Sequence, residues 1–229
     1  SDVCSSDLIS GIGSQSIKEL NYNAGIMFEK PGVVGPASKF IAGLKTVYEH
    51  PDAYDRFSTA GSVGLSYELT EKQTVSAELQ VEYEKITDVF VTDKDYLIVS
   101  TPLQYVYDNR DDKLNPTKGF RLFGYAEPGY DTINGTTFVK VKGEASVYQA
   151  FDTAGKFVLA GRVTLGSIAG AELEDIPADR RFYTGGGGSV RGYAYQGIGP
   201  KVGDTPIGGL SLAEASAEMR ILVTDKFGI

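Results

Sequence analysis

The amino-acid sequence predicts an all-β fold, an antiparallel transmembrane β-barrel of which this chain holds about nine strands. Three observations lead to that prediction. Apolar and polar residues alternate in long runs, aromatic residues stand near the ends of the apolar faces, and short connections alternate with longer ones. A soluble antiparallel sheet with one wet face alternates in the same way, and it is the competing interpretation.

The strands follow from the two-residue period, since neighbouring side chains of a strand point to opposite faces. In chain order they are predicted at about 19–29, 39–49, 57–69, 74–84, 95–108, 118–128, 139–148, 157–166 and 213–223. The alternation is strict in the third, the fourth and the last three, and weaker in the others. Phe57 and Tyr67 lie near the ends of one apolar face, as in the aromatic girdles of outer-membrane barrels. Most segments approach the roughly 9–11 residues that cross a bilayer at a tilt.

The connections also point to an outer-membrane barrel. Segments 70–73 and 152–156 are short, and the longer connections are predicted at 51–56, 85–95, 129–136 and above all 168–210. Short turns at one end and long loops at the other are typical of such barrels, so we expect 168–210 to be a long extracellular loop. Bacterial single-chain barrels usually have an even number of strands. Nine strands therefore predict that the chain is an open fragment, an internal piece of a larger barrel.

Composition excludes several classes of protein. No segment approaches the roughly 20 apolar residues of a membrane helix, and the net charge of −8 argues against nucleic acid as a partner. The single cysteine, Cys4, and the single histidine, His50, offer no internal disulfide, metal site or catalytic dyad. We therefore expect no cofactor, no metal and no enzymatic activity. The start of the chain lacks the pattern of a signal peptide; we expect 1–16 to be a disordered or non-native leader and 17–229 to be the barrel domain.

A glycine run precedes the most distinctive motif of the chain. The run consists of Gly185, Gly186, Gly187 and Gly188, and the motif that follows is Val190, Arg191, Gly192 and Tyr193. Glycine allows a tight hinge, so the sequence predicts a loop that folds back and delivers the Arg191 guanidinium to a fixed place. A phosphate-binding loop would need Gly-Lys-Ser/Thr at the start of a helix, which is missing here. A glycine-rich loop without a special role is the remaining alternative.

Three groups of acidic residues invite other interpretations. Glu214 and Glu218 share a strand face, but four residues at about 3.3 Å each separate them by roughly 13 Å, too far for a glycosidase pair. The second group, Asp108, Asp111 and Asp112, lacks the spacing of a calcium-binding EF-hand and precedes Asn-Pro, so a turn is expected. The third group is expected to form a solvated surface; it consists of Glu172, Glu174, Asp175 and Asp179.

Several motifs together resemble the outer-membrane insertase superfamily that includes BamA and TamA. Segment 183–200 is similar to the sixth extracellular loop of that superfamily, 107–119 to a periplasmic turn, and 208–218 to the strand that follows the loop. The similarity extends over nearly all of 17–229, and the motifs are most similar to those of the TamA branch. The resemblance implies a barrel of about sixteen strands behind periplasmic POTRA domains, with this chain holding roughly strands four to twelve.

The resemblance also implies roles for individual residues. In the superfamily the loop enters the barrel lumen, where its arginine pairs with acidic residues of the inner wall. Arg191 occupies the position of that arginine, and Glu218 occupies one of the acidic positions. A guanidinium suits this role because its planar fork of donors can bind a carboxylate through two hydrogen bonds. We therefore expect Arg191 to lock the loop against the wall.

At the level of function, the resemblance implies a protein of the bacterial outer membrane, surrounded by outer-membrane lipid. Such a protein would insert or translocate client outer-membrane β-barrel proteins, autotransporters in particular. It would work with a TamB-like partner anchored in the inner membrane, and a part in phospholipid transport is also implied. A BamA-type insertase and a two-partner-secretion pore are the alternatives within the superfamily. A general porin or a soluble β-sheet binding module are the alternatives outside it.

Overall fold

The computed structural model describes residues 21–152, 155–224 and 227–228, and one antiparallel sheet dominates this part of the chain. The expected leader, residues 1–16, lies outside the described residues, as do the first two positions of the first predicted strand. The strands are β1 (Tyr22–Pro31), β2 (Ser38–Glu49), β3 (Asp55–Thr70), β4 (Gln73–Thr87), β5 (Lys94–Ser100), β6 (Leu103–Asp108), β7 (Lys118–Asp131), β8 (Thr136–Ala150), β9 (Phe157–Ala169), β10 (Lys201–Val202), β11 (Thr205–Pro206), β12 (Ser211–Thr224) and β13 (Phe227–Gly228).

The strands of the main sheet pair in chain order, as in an up-and-down barrel wall, when β5 and β6 are taken as one strand. The order is β1-β2-β3-β4-β5-β7-β8-β9-β12-β13, and β6 also pairs with β4 and β7. Strands β10 and β11 form a separate small hairpin within the long loop. Two 3-10 turns, Leu173–Asp175 and Ala178–Arg180, precede that hairpin. None of the helical segments among the described residues is long and apolar enough to span a bilayer.

Strands β5 and β6 together form the strand that the sequence predicts at 95–108. They pair with β4 in one register, Ser100 opposite Gln80 and Leu103 opposite Ala77. The interruption falls at Pro102, which has no N–H to donate. Its carbonyl still accepts a hydrogen bond from the Glu78 N–H at 2.9 Å. The prediction of nine long strands is confirmed within the described residues when β5 and β6 are counted as one.

The two faces of the sheet differ as the alternation predicts. On β4 the apolar side chains of Leu79, Val81 and Tyr83 remain exposed, whereas Glu82 and Glu84 on the opposite face are buried. We call these the outer face and the inner face. A soluble sheet would bury its apolar face, because exposed apolar area is costly in water. An exposed apolar outer face and a covered polar inner face are the arrangement of a transmembrane barrel.

The connections differ in length less than the sequence predicts. The connections at 50–54, 88–93, 132–135 and 170–210 lie at one end of the sheet, here called the loop end; the connections at 32–37, 71–72, 109–117 and 151–156 lie at the other, the turn end. The predicted loops 85–95 and 129–136 are shorter in the structure because the flanking strands extend into them. The expected asymmetry therefore comes almost entirely from 170–210.

A small apolar core forms where this long loop covers the inner face near the loop end. The wall contributes Ile86, Tyr96, Ile98, Phe138 and Ile168, and the loop contributes Ile176, Ala178 and Phe182. The wall residues stand at inner-face positions, and there they pack against the apolar side chains of the loop. These apolar side chains therefore mark where the wall is covered by the loop.

Candidate functional site

Arg180 is a buried charge of the long loop that faces three glutamates of the wall. Its Nη2 donates to Glu82 Oε2 at 2.7 Å and its Nη1 to Glu127 Oε1, while Nε lies 3.9 Å from Glu84 Oε1. Only 6% of the residue is exposed. Burial alone lowers the pKa of Arg180, but the carboxylates, Glu84 and Glu127 foremost, outweigh that effect and the net pKa is raised. The guanidinium is therefore charged and is paired with carboxylates of two strands.

The next residue, Arg181, makes a second buried ion pair. Its Nη1 lies 2.9 Å from Asp88 Oδ2, and 1% of each side chain is exposed. The same guanidinium donates from Nε to the Ile176 carbonyl at 2.9 Å and from Nη1 to the Ile207 carbonyl at 3.2 Å. Arg181 thus joins the 88–93 connection to both arms of the long loop.

Asp179 corrects one of the expectations from the sequence. The third acidic group was expected to be solvated, and Glu172, Glu174 and Asp175 are indeed exposed. The Asp179 side chain, in contrast, is 8% exposed and accepts a hydrogen bond from Arg56 Nη1 of β3. The expectation is wrong for Asp179 because the turn Ala178–Arg180 packs onto the inner face, where a cation of the wall faces it.

The glycine run forms a turn that rests on β9 and β12. Gly185 and Gly186 have φ angles of +110° and +93°, which favour glycine. A side chain at Gly185 would also meet the Ala194 carbonyl oxygen at 2.4 Å. Gly187 and Gly188 have no positive φ angle, and an added Cβ would meet no atom within 4 Å. Only Gly185 and Gly186 of the run therefore need to be glycine for this turn.

Two wall residues hold this turn. Arg162 of β9 donates from Nη2 to the Gly188 carbonyl at 3.2 Å and to the Ser189 carbonyl at 3.3 Å. The Ser189 hydroxyl donates to Glu214 Oε1 of β12. Arg162 and Ser189 were not among the predicted site residues. The inner-face position of Arg162 in the alternation was the available signal for it.

The motif after the glycine run lies beside the same strands. Arg191 Nη1 is 3.6 Å from Glu218 Oε2, with 82% and 49% of the two side chains exposed. This distance is too long for a hydrogen bond. Gly192 has a φ angle of +87°, Val190 is half-buried and Tyr193 is 60% exposed. The structure thus brings the predicted pair close together, and the locking role of Arg191 stays a prediction.

Sequence reasoning missed most of the buried charges. The missed residues are Arg56, Glu82, Glu84, Asp88, Glu127, Arg180 and Arg181. One signal was present, since Glu82 and Glu84 alternate with apolar residues and must point to the inner face. The arginines could not be assigned to them, because their positions depend on how the long loop folds.

At the turn end, Asp111 and Asp112 organise the connection between β6 and β7. Asp111 accepts hydrogen bonds from the Thr117 hydroxyl and from the N–H groups of Thr117 and Lys118. Asp112 accepts from the N–H groups of Leu114 and Asn115. Both carboxylates therefore stabilise a turn, which is the structure that the sequence predicts for 107–119.

The contacts of Asp111 lead to a pH prediction. Donation by the Thr117 hydroxyl and by backbone N–H groups lowers the pKa of Asp111. Because the folded pKa lies below the unfolded value of about 3.9, the stabilisation is present above about pH 4 and is lost as the pH falls through the folded pKa. Asp111→Asn should therefore lower the thermal midpoint at neutral pH, with a difference from the parent protein that shrinks in acid.

Thermal unfolding of the two proteins over a series of pH values measures that difference. Asp204→Asn, at the exposed tip of the β10–β11 hairpin, controls for the removal of any one carboxylate. A midpoint difference for Asp111→Asn that is constant from neutral to strongly acidic pH would contradict the prediction.

A wall with an apolar outer face, a charged inner face and a long loop folded onto that inner face defines a transmembrane β-barrel with an occupied lumen. The Omp85 superfamily domain matches residues 11–228, which is most of the chain. The chain therefore belongs to the Omp85 superfamily, and it is a barrel segment of the bacterial outer membrane.

Two known proteins of this kind are each covered by the chain only in part. The outer membrane protein assembly factor BamA of Nitratidesulfovibrio vulgaris is 34% identical over 100 residues, which are 43% of this chain and 12% of the relative. The crystal structure of BamA from Haemophilus ducreyi lacking POTRA domains 1-3 matches with a TM-score of 0.78 at 18% identity, over 90% of this chain and 46% of that one. The structural likeness shows the fold, and the chain spans less than half of either relative.

Proposed function

We propose that this chain is the barrel part of an outer-membrane assembly factor of TamA type, which inserts or translocates client β-barrel proteins. The observation that carries the proposal is the long loop, which lies on the inner face and brings Arg191 beside Glu218 of β12. The match to the Omp85 superfamily domain supports it. On this proposal the loop connects β9 and β12 at the extracellular end of the barrel. The partner is a TamB-like protein anchored in the inner membrane.

The occupied inner face argues against a general porin. An open aqueous channel needs a lumen free of packed side chains, whereas here Ile176, Ala178 and Phe182 of the loop pack against the wall. The proposed activity needs no chemical reaction, so we propose neither catalytic residues nor a cofactor. Insertion would be driven by burial of the apolar face of the client in outer-membrane lipid and by pairing of its strand edges.

A BamA-type insertase is the second candidate, because both relatives described above are BamA proteins. A two-partner-secretion pore is the third. The TamA assignment rests on the amino-acid sequences of segments 183–200 and 107–119. The number of POTRA domains in the complete reading frame separates the three, since three domains indicate TamA, five indicate BamA and two indicate the secretion pore. Phospholipid transport remains a further role that we propose only together with the TamA assignment.

The test of function is deletion or depletion of the complete gene in the bacterium that carries it. We expect the amount of folded autotransporter in the outer membrane to fall, and we expect the full-length protein to co-purify with a TamB-like protein after crosslinking. A general loss of outer-membrane barrels without a TamB-like partner would support the BamA type instead. Unchanged outer-membrane proteins would overturn both.

Arg191→Ala in the full-length protein tests the proposed lock. An exposed ion pair of this kind is worth about 0–1 kcal/mol, so we expect global stability to change little. If Arg191 locks the loop tip, protease cleavage within 185–195 should become faster and client insertion slower. Lys201→Ala, an exposed cation of the β10–β11 hairpin, is the matched control. Unchanged cleavage and unchanged insertion in the Arg191 variant would count against the lock.

A further inference from the structure

The two parts of the long loop are held in very different ways. Segment 176–182, which we call the loop base, contains Ile176 and Ala178 without measurable exposure and Arg180 at 6%. Segment 185–195, which we call the loop tip, exposes 82% of the Arg191 side chain and 68% of Tyr195. Among the described residues, the buried ion pairs of the loop are all made by its base.

Arg180 of the base bridges two strands that are not neighbours. Glu82 belongs to β4 and Glu127 to β7, and β5 with β6 lies between them. Strands separated in this way are roughly 9–10 Å apart. One guanidinium contacts both carboxylates through different nitrogens, which the compact ammonium of lysine could not do in the same geometry.

The positive charge of Arg180 compensates negative charges that are buried on the inner face of the wall. Glu82, Glu84 and Glu127 are all buried on one part of the inner face, and buried like charges destabilise one another unless a counter-charge is present. Arg56 of β3 contacts Asp179 and Glu49. Among the described residues, Arg180 is therefore the cation that contacts all three glutamates. This cation belongs to the loop and not to the wall.

We propose that Arg180 is a positioning residue of the long loop. By neutralising the glutamates of β4 and β7 it fixes the loop base on the wall, and the base in turn sets the position of the glycine turn and of Arg191. This inference goes beyond the proposed function, since it concerns where the loop lies whatever the clients of the barrel are.

A covalent crosslink between loop tip and wall measures that position. Ser189 and Glu214 are in side-chain contact, so Ser189→Cys with Glu214→Cys in a Cys4→Ser background of the full-length protein places two thiols within reach of a short bismaleimide crosslinker. The yield of crosslinked protein is read in three further backgrounds, Arg180→Met, Arg180→Lys and Arg191→Ala. Slower migration after boiling on gels shows that each barrel is folded.

We expect the crosslink yield to fall about tenfold or more in Arg180→Met, since the loss of one partner of a buried pair shifts such an equilibrium by at least that factor. Arg180→Lys should give a smaller loss, because lysine keeps the charge and reaches one carboxylate. Arg191→Ala should have less effect than either. Adding Glu82→Gln and Glu127→Gln to Arg180→Met should restore part of the yield by removing the unpaired charges.

Two results would overturn the proposal. One is a parental crosslink yield in folded Arg180→Met and Arg180→Lys. The other is a loss in Arg191→Ala as large as that in the Arg180 variants. If Arg180→Met does not fold, the test uses folded Arg180→Lys instead. The proposal then requires a larger loss of crosslink yield in Arg180→Lys than in Arg191→Ala. None of these results depends on client insertion, so they are separate from a failure of the proposed function.

Discussion

Replacing Asp88 by alanine is expected to lower the free energy of unfolding by about 3–5 kcal/mol, since it leaves the buried guanidinium of Arg181 without its carboxylate. The pair is 2.9 Å apart and 1% of each side chain is exposed. Water therefore cannot replace the lost partner. Asp88 Oδ1 also accepts the N–H groups of Phe90 and Val91 at 2.8 and 2.9 Å, and the alanine variant loses those hydrogen bonds too.

Two further variants separate these contributions. Asp88→Asn keeps an oxygen for the Phe90 and Val91 N–H groups but removes the charge, so most of the loss should remain if the ion pair dominates. Glu29→Ala breaks the pair with Lys39, whose side chains are 44% and 47% exposed, and should cost about 0–1 kcal/mol. Denaturant unfolding of the folded barrel in detergent gives all three values. Equal losses in Asp88→Ala and Glu29→Ala would refute the prediction.

Gly166→Ala is expected to be the second severe change, at about 1–3 kcal/mol, because the new methyl group overpacks the core under the loop. A Cβ at Gly166 of β9 would lie 2.5, 2.8 and 3.1 Å from three ring atoms of Phe182. The ring has little room to move. Phe182 is 8% exposed, its backbone pairs with Gly209 at 2.9 Å, and Lys140 Nζ lies 5.0 Å from its ring centre.

Gly161→Ala on the same strand is the matched control, since its nearest contact is Val147 Cγ1 at an ordinary 3.6 Å. The same unfolding experiment, together with protease sensitivity of the loop, compares the two variants. The double variant Gly166→Ala with Phe182→Leu should be less destabilised than the sum of its single changes, because a smaller side chain leaves room for the methyl group. Additive losses, or an equal loss in Gly161→Ala, would show that the ring does not occupy the space over Gly166.

The wall of the barrel was predictable because strand alternation is a local property. Each of the nine predicted strands has a counterpart among the described residues, and the inward direction of Glu82 and Glu84 follows from the same count. Details at strand ends were not predictable. Strands β4, β5, β7 and β8 extend into segments that the sequence assigned to loops, since hydrogen bonds to a neighbouring strand can hold residues of any polarity.

The long loop was predictable only in part. The glycine run indicates a hinge, and Gly185 and Gly186 have the positive φ angles that a hinge needs. The run does not reveal that Gly187 and Gly188 lack this constraint. Nor does local sequence distinguish Asp179 from its exposed acidic neighbours, because the difference lies in the Arg56 side chain of a distant strand.

Alternation and the motifs around Arg191 were thus enough to predict an outer-membrane barrel wall and the strands beside which its loop would lie. The deep ion pairs of Arg180 and Arg181 became visible only with the folded chain, since Arg180 meets Glu82 across 98 positions of sequence. The physical reason is that the facing direction of a strand residue depends on its immediate neighbours. The partner of a buried charge depends on which distant segment covers it.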